Sequence, residues 1–351
     1  MNERAGPSTG AKPRHMAYTI TLQPSGRTYS CSADTPVLKA GLDAGLFLPY
    51  SCRSGVCRTC RGTVVAGDVD FGDVHPNYLS EQDRREGRAL LCKATPRSDL
   101  VVQVDELDPA QAIRSRFMPA RVLKMEKAAD DVMIVTLGLP MNEPMLFRAG
   151  QYLDILRPDG SRRSYSMANI PHNEGVRQVE LHIRLTPGGQ FTEHVFNTMK
   201  LREIHKLEMP LGSFFLREDS RKPIVMVASG TGFAPIKSVI EYALQRGVQR
   251  PITLYWGGRR RADLYMHELA QSWAAQHPNV RYVPVLSEPG PDCAWQGRTG
   301  FVHHAAMEDF PDMSGHQVYA CGAPIVVDSA RRDFSAACGL PVEEFFADAF
   351  I

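Results

Sequence analysis

Three cysteines crowd into nine residues, Cys52-Arg-Ser-Gly-Val-Cys57-Arg-Thr-Cys60, and a fourth, Cys92, follows thirty-two positions after the last of them. Two irons bridged by two sulfides need four thiolates, three from one wrapped loop and one from elsewhere in the fold. Gly55, with Ser51 and Ser54 near it, lets the loop backbone curl inward and donate N–H groups to sulfur. Zinc also accepts four cysteines, but its structural sites pair two short C-x2-4-C hooks, and Cys92 has no second hook. The spacing therefore points to a [2Fe–2S] cluster on Cys52, Cys57, Cys60 and Cys92. Cys31, Cys293 and Cys338 have no partner spacing and read as ordinary thiols.

Further along, Arg163-Ser164-Tyr165-Ser166 offers a guanidinium fork, a flat aromatic face and hydroxyls. Those types suit a pyrophosphate, an isoalloxazine ring and a ring nitrogen. Alone the run is also compatible with a plain strand. The residues after it add weight: His182-Ile-Arg184, then Pro187-Gly188-Gly189-Gln190-Phe191-Thr192 leading into a helix. Glycines just ahead of a helix N-terminus present free N–H groups and the positive dipole end to an anion. A second such place is Ser229-Gly230-Thr231-Gly232-Phe233-Ala234-Pro235, a glycine turn between a strand and a helix that suits a dinucleotide phosphate. Pro235 breaks the G-x-G-x-x-G fingerprint, which disfavours a standard dehydrogenase. Tyr319-Ala-Cys321-Gly322-Ala323-Pro324 repeats the strand-end and helix-start pattern, and Cys321 by itself reads as a core thiol. Arg259, Arg260 and Arg261 follow the next strand, where arginines can hold a 2′-phosphate and an acidic residue favours NAD; Asp263 is close.

The elements that must position these groups fall into three stretches. Residues 17–108 open with alternating runs, 17–23 and 27–32, joined by Pro24-Ser25-Gly26 as a hairpin. A short helix over 37–44 is capped by Thr35 with Pro36 first inside it, and a closing strand covers 101–104. A linker over 105–112 leads to 113–220, rich in strands (120–125, 132–137, 151–156, 163–167, 179–184) with one helix at 191–199; this predicts an antiparallel barrel. From 221 to 351 strands (223–228, 252–256, 280–285, 317–321) alternate with helices (234–245, 264–276, 303–309, 324–338), which predicts a parallel sheet covered on both faces. Residues 1–16 are small, polar and charged and are expected to be disordered.

On these motifs the chain resembles a known family. Residues 17–104, with Leu48-Pro-Tyr-Ser-Cys52, resemble the plant-type ferredoxin domain, an α+β β-grasp fold. One departure is Arg58, where that family usually has Gly; with Arg53 and Arg61 it makes three cations at the loop, either a solvated face or a docking surface for an acidic partner. Arg163–Ser166, the glycine segment and Pro210-Leu-Gly212-Ser213 resemble the FAD domain of the ferredoxin–NADP reductase superfamily. Gly230-Thr231-Gly232-Phe233-Ala234-Pro235 resembles the nucleotide domain of that superfamily. The resemblance implies FAD held by Arg163, Ser164, Tyr165, Ser166, His182, Arg184, Gly188, Gly189, Gln190 and Thr192. It also implies a nicotinamide nucleotide at Gly230, Thr231, Gly232, Pro235, Arg259, Arg260, Cys321 and Gly322. Similar reductases end in an aromatic that covers one flavin face, here Phe350. Ser166, Cys321 and Phe350 are thereby the residues expected beside the reacting atoms.

The domain order resembles one-polypeptide reductases of bacterial oxygenase systems, particularly ring-hydroxylating dioxygenases of the terephthalate type, and also the reductase serving deoxysugar 3-dehydration. It implies an NAD(P)H-dependent flavin iron–sulfur oxidoreductase, with NADH chosen over NADPH, passing electrons by way of FAD and the cluster to a Rieske-type oxygenase in aromatic catabolism. Plant-type clusters near roughly −400 mV lie below Rieske centres at about −150 to +300 mV, so that delivery is downhill. A sugar dehydratase as partner is the alternative; a non-enzymatic iron–sulfur carrier would need a degraded nucleotide site, and Gly230, Thr231, Gly232, Cys321 and Gly322 are all present. A net charge of +1 gives no support to nucleic-acid binding, no apolar run approaches a membrane span, and no signal-peptide core precedes the first domain. A cytoplasmic monomer is expected.

Overall fold

The computed structural model describes residues 16–109, 112–290 and 293–350. The expected tail, Met16 excepted, and two residues of the expected linker lie outside them. The chain divides into two compact units, Met1–Leu48 with Cys60–Pro109, and Pro49–Thr59 with Ala110–Ile351.

In the first unit the expected hairpin forms from β1 (Ala17–Gln23) and β2 (Thr28–Ser32), with Ile20 and Leu22 wholly buried on one face, as the period of two requires. Helix α1 (Val37–Asp43) lays Val37, Leu38 and Ala40 inward. Its N-cap is Pro36 rather than Thr35, with no side-chain cap bond. The rest is β3 (Arg61–Ala66), β4 (Val69–Asp70), α2 (Glu81–Arg85), β5 (Arg88–Leu90), β6 (Thr95–Pro96) and β7 (Leu100–Gln103). The main sheet runs β2-β1-β7-β3-β5 with β1 and β7 parallel, the β-grasp expected. Pairing of Arg61 with Leu90, and Leu91 N–H donating to the Cys60 carbonyl at 3.1 Å, set Cys60 and Cys92 at neighbouring strand ends.

The second unit holds two sheets. The first comprises β8 (Arg116–Ala129), β9 (Val132–Gly138), β10 (Tyr152–Leu156), β11 (Arg162–Ser166), β12 (Gln178–Arg184) and β13 (Ile204–Leu211), with α3 (Gln190–Asn197) between the last two. Its order is β11-β10-β13-β8-β9-β12, all antiparallel. A bridge between Met167 and Leu181 joins the two ends and closes the barrel around Leu153, Met167, Leu181, Leu207 and Met209. The second sheet is wholly parallel, β17-β16-β15-β14-β18-β19. Its parts are β14 (Ile224–Ser229), α4 (Phe233–Gln245), β15 (Ile252–Gly258), α5 (His267–Gln276), β16 (Val280–Leu286), β17 (Arg298–Thr299), α6 (Val302–Asp309), β18 (Gln317–Gly322), α7 (Pro324–Ala337) and β19 (Phe345–Ala349). Helices cover both faces, so β14 and β18 read as unbroken buried runs. α5 starts three residues later than expected because 261–263 form a separate turn braced by Asp263. Strand order reverses at β14, between β15 and β18, and a crevice opens there beyond the strand ends.

Candidate flavin and nucleotide site

A cavity of about 1110 Å³ lies across that crevice, larger than a single small ligand needs. Three segments far apart in the chain line it: Ser51 and Cys52; the barrel face with Arg163, Ser164, Tyr165, Ser166, His182, Arg184, Gly189 and Thr192; and the parallel-sheet edge with Gly230, Thr231, Arg259, Gly322 and Phe350. Of the residues expected from sequence, Gly188, Gln190, Gly232, Pro235, Arg260 and Cys321 are not among its walls. Cys321 is wholly buried at the end of β18, where burial first and Asp348 second push its thiol well up. Pro235 is buried within α4, Gln190 receives Arg157 at 2.9 Å, and the Arg260 N–H donates to Asp263 at 3.0 Å.

Strand alternation on β11 would leave Tyr165 and Ser166 on opposite faces; both still line the cavity because the strand ends there. Tyr165 packs on Phe191 of α3, ring centres 5.7 Å apart, and burial raises its phenol. The Ser166 hydroxyl donates to Asp348 Oδ2 at 3.3 Å, and the Ser51 hydroxyl donates to Oδ1 of the same carboxylate. Asp348 is 4 % exposed, and burial raises it to about 6. Sequence reasoning missed it. Its partners lie 297 and 182 residues away, and nothing local marks an aspartate in an apolar terminal strand. Two residues on, Phe350 is fixed by its N–H donating to the Gly322 carbonyl at 2.9 Å. His182 has both ring nitrogens engaged, by Tyr265 at 2.7 Å and Glu180 at 3.0 Å, and burial lowers its pKa. Arg184 bridges Asp131 at 2.6 Å and Asp263 at 2.8 Å. A ring face, hydroxyls and a glycine turn at one wall fit a flavin dinucleotide.

At the other wall Gly230, at φ +52°, and Gly232 flank Thr231 in the turn 230–232. A Cβ on Gly232 would collide with the Cys321 carbonyl, which brings β14 and β18 together where they meet the cavity. Asp263 accepts the backbone N–H groups of Arg259 at 2.7 Å and Arg260, placing a carboxylate on the cavity wall beside Arg259.

The cluster loop packs with this same unit. Tyr50 N–H donates to Ser213 Oγ at 2.9 Å, the Tyr152 hydroxyl to the Ser51 carbonyl at 2.9 Å, and Arg331 to the Cys57 carbonyl at 2.9 Å. All eight cysteines are free. The Cys52 sulfur is drawn down by its bond with the Cys57 thiol and by Ser54, and accepts N–H groups from Ser54 at 3.5 Å and Cys57 at 3.4 Å. Sulfur ringed by inward N–H donors fits an iron–sulfur ligand. The three arginines are each drawn into an ion pair: Arg53 with Asp154 at 2.5 Å, Arg58 with Asp328 at 2.7 Å and Arg61 with Asp83 at 3.0 Å.

Three family models match: a 2Fe-2S iron-sulfur cluster binding domain over 20–97, an oxidoreductase FAD-binding domain over 119–216 and an oxidoreductase NAD-binding domain over 226–332. The chain is 38% identical to CDP-6-deoxy-L-threo-D-glycero-4-hexulose-3-dehydrase reductase of Yersinia pseudotuberculosis, over 96% of this chain and 99% of that one. It is 38% identical to terephthalate 1,2-dioxygenase reductase component 2 of Comamonas sp, over 95% and 98%. Among solved structures, an Amycolatopsis cytochrome P450 reductase matches with a TM-score of 0.75 at 35% identity, over 95% of this chain and 98% of that one.

Proposed function

The chain belongs to the family of single-chain reductases that join a [2Fe–2S] ferredoxin domain to FAD- and NAD-binding domains, and from that premise we propose that it carries electrons from NADH to a Rieske-type oxygenase acting on aromatic rings. The observation that carries this reading is the shared cavity. Cys52 of the cluster loop, Tyr165 and Ser166 of the barrel, and Gly230 and Gly322 of the parallel sheet line one space. When bound, FAD accepts two electrons as hydride and releases them singly, which a cluster taking one electron at a time requires.

The chain's own groups supply position and proton handling. Cys52, Cys57, Cys60 and Cys92 would hold the cluster. Arg163, Ser164, Tyr165 and Ser166, with Gly188, Gly189, Gln190 and Thr192, would hold FAD, and Arg184 would lie at its diphosphate. His182, both of whose nitrogens are engaged, offers only its ring. Gly230, Thr231, Gly232, Pro235, Arg259, Arg260, Cys321 and Gly322 would shape the nucleotide pocket. Phe350, which lines the same space as Ser166, would cover one face of the flavin. Asp348, raised by burial to about 6, accepts the Ser166 hydroxyl at Oδ2 and would take up or give a proton close to neutral pH. The Asp263 carboxylate beside Arg259 opposes a 2′-phosphate, which supports NADH over NADPH. We take 17–108, 113–220 and 221–351 as the three domains, in a cytoplasmic monomer; no helix among the described residues is long and apolar enough to cross a membrane.

Anaerobic titration with NADH, and separately NADPH, tests this. Bleaching of flavin and iron–sulfur bands together, with about three electrons taken up per chain, is expected with NADH. Flavin bleaching without an iron–sulfur signal would refute the relay. Full-length identity to the Yersinia reductase favours a second reading, in which the acceptor is a deoxysugar dehydrase; reconstitution with each class of acceptor separates the two.

A further inference from the structure

Away from the cavity, two imidazoles and a carboxylate converge where α3 meets the start of β13. His194 lies on α3, Glu203 just before β13 and His205 within it. Their ligand atoms all lie within 4.8 Å of one another. Both rings address one oxygen: Glu203 Oε1 is 2.6 Å from His194 Nε2 and 3.2 Å from His205 Nε2. Ligand atoms on a tetrahedral ion with bonds of about 2.0–2.1 Å stand about 3.4 Å apart, so the three need move little to share a cation.

The surroundings hold these groups as ligands are held. Thr198 Oγ1 donates to the His194 carbonyl at 3.3 Å and lies 2.7 Å from His194 Nδ1. The Thr198 hydroxyl thereby holds the far edge of the ring while Nε2 faces the Glu203 carboxylate. On the other side His205 Nε2 is buried with no hydrogen-bond partner, although the carboxylate is near. The Lys200 N–H donates to Glu203 Oε2 at 3.3 Å and fixes the carboxylate's plane. Phe191 packs against both rings and shields the site from within.

We propose that His194, Glu203 and His205 form a binding site for a divalent transition metal, Zn2+, which clamps the end of α3 to the start of β13. Two imidazoles and one carboxylate are a donor set that zinc takes readily, with water completing the shell. The ion would brace the helix whose first turn carries Phe191 and Thr192 into the cavity. A second grouping, His303, His304 and Asp333, lacks this character, because Arg332 already pairs with the Asp333 carboxylate at 2.8 Å.

The test titrates ZnCl2 into the FAD- and cluster-loaded protein, freed of adventitious metal, by calorimetry. One Zn2+ per chain is expected, with affinity reduced about tenfold or more in His205→Gln and in Glu203→Gln, each checked for unchanged FAD content, and unchanged in His303→Asn. Thr198→Val, which removes the hydroxyl at His194 Nδ1 together with its bond to the His194 carbonyl, should weaken binding about tenfold. Zinc-edge X-ray absorption should show nitrogen and oxygen at about 2.0–2.1 Å and no sulfur. Absence of stoichiometric binding, binding that survives both His205→Gln and Glu203→Gln, or a sulfur shell would overturn the site.

Discussion

Arg58 stands at φ +61°, in the left-handed region that favours glycine, and its side chain leaves the cluster loop to reach Asp328 at 2.7 Å. Two opposing terms are thereby separable by substitution. Arg58→Ala keeps the strained backbone and loses the ion pair, whereas Arg58→Gly loses the pair and the strain together. A left-handed residue with a Cβ costs about 1–2 kcal/mol, so the glycine variant should be the more stable by about that amount. The temperature at which iron–sulfur absorbance is lost gives the order; alanine at or above glycine would show that the loop relaxes out of this conformation. Asp348 offers a second single-residue test. Its carboxylate accepts the hydroxyls of Ser51 and Ser166, and Asn can keep the shape but not carry the proton. Asp348→Asn should slow flavin reduction by NADH in stopped flow by about a hundredfold, the scale of a lost acid–base group. An unchanged rate would confine Asp348 to holding the two serines.

β12 and α4 are joined through Glu180 and Lys237. Lys237 Nζ lies 3.3 Å from Glu180, donates to the Ala168 carbonyl at 3.2 Å and pairs with Glu241 at 3.0 Å, so one buried ammonium ties the barrel to the first helix of the parallel sheet. Burial alone would raise Glu180, but His182 and Lys237 outweigh it and hold the group at about 2. Because that lies below the ordinary 4.5, Glu180 contributes stability that is complete above pH 4.5 and fades as pH falls through about 2, at most about 3 kcal/mol. Glu180→Gln should therefore lower the urea midpoint at pH 7, with the gap to wild type narrowing toward pH 3. Fluorescence of Trp256, Trp273 and Trp295 follows it, and a constant gap would remove Glu180's charge as the cause. Such ties were not legible in the sequence, whereas the glycine turns and the cysteine spacing were, because their chemistry is confined to a few adjacent residues. α2 buries no side chain and so shows no apolar period; only its Ser80–Asp83 capping box marks it. β13 begins with exposed Ile204 and alternates imperfectly, which hid the strand that carries His205.

At the scale of the molecule, the loop with Cys52 and Cys57 is held by two other parts of the chain: the barrel through Tyr152, Asp154 and Ser213, and the parallel sheet through Ala347, Asp328 and Arg331. The deepest of these ties is Asp154, wholly buried, which accepts Arg53 at 2.5 Å, Arg162 at 3.1 Å and Ser164 at 2.6 Å. A carboxylate there is tolerated only because it is paired and bonded; removing it would leave Arg53 without its carboxylate, while Arg162 would keep Glu208. Removing Arg53 instead is a gentler operation. Asp154 keeps Arg162 and Ser164, so the barrel face that lines the cavity stays in place, while the loop loses the charge that draws it there. Arg53→Met should leave flavin reduction by NADH within about twofold of wild type and slow the following cluster reduction about tenfold or more, since misplacement by an ångström can cost up to about a hundredfold. Stopped-flow absorbance resolves the two phases in one experiment. If both slow equally, Arg53 supports the flavin site as well as the loop. If neither slows, the hydrogen bonds of Tyr50, Tyr152, Thr59 and Arg331 suffice to hold the loop, and its place beside the flavin strand owes nothing to the buried charge.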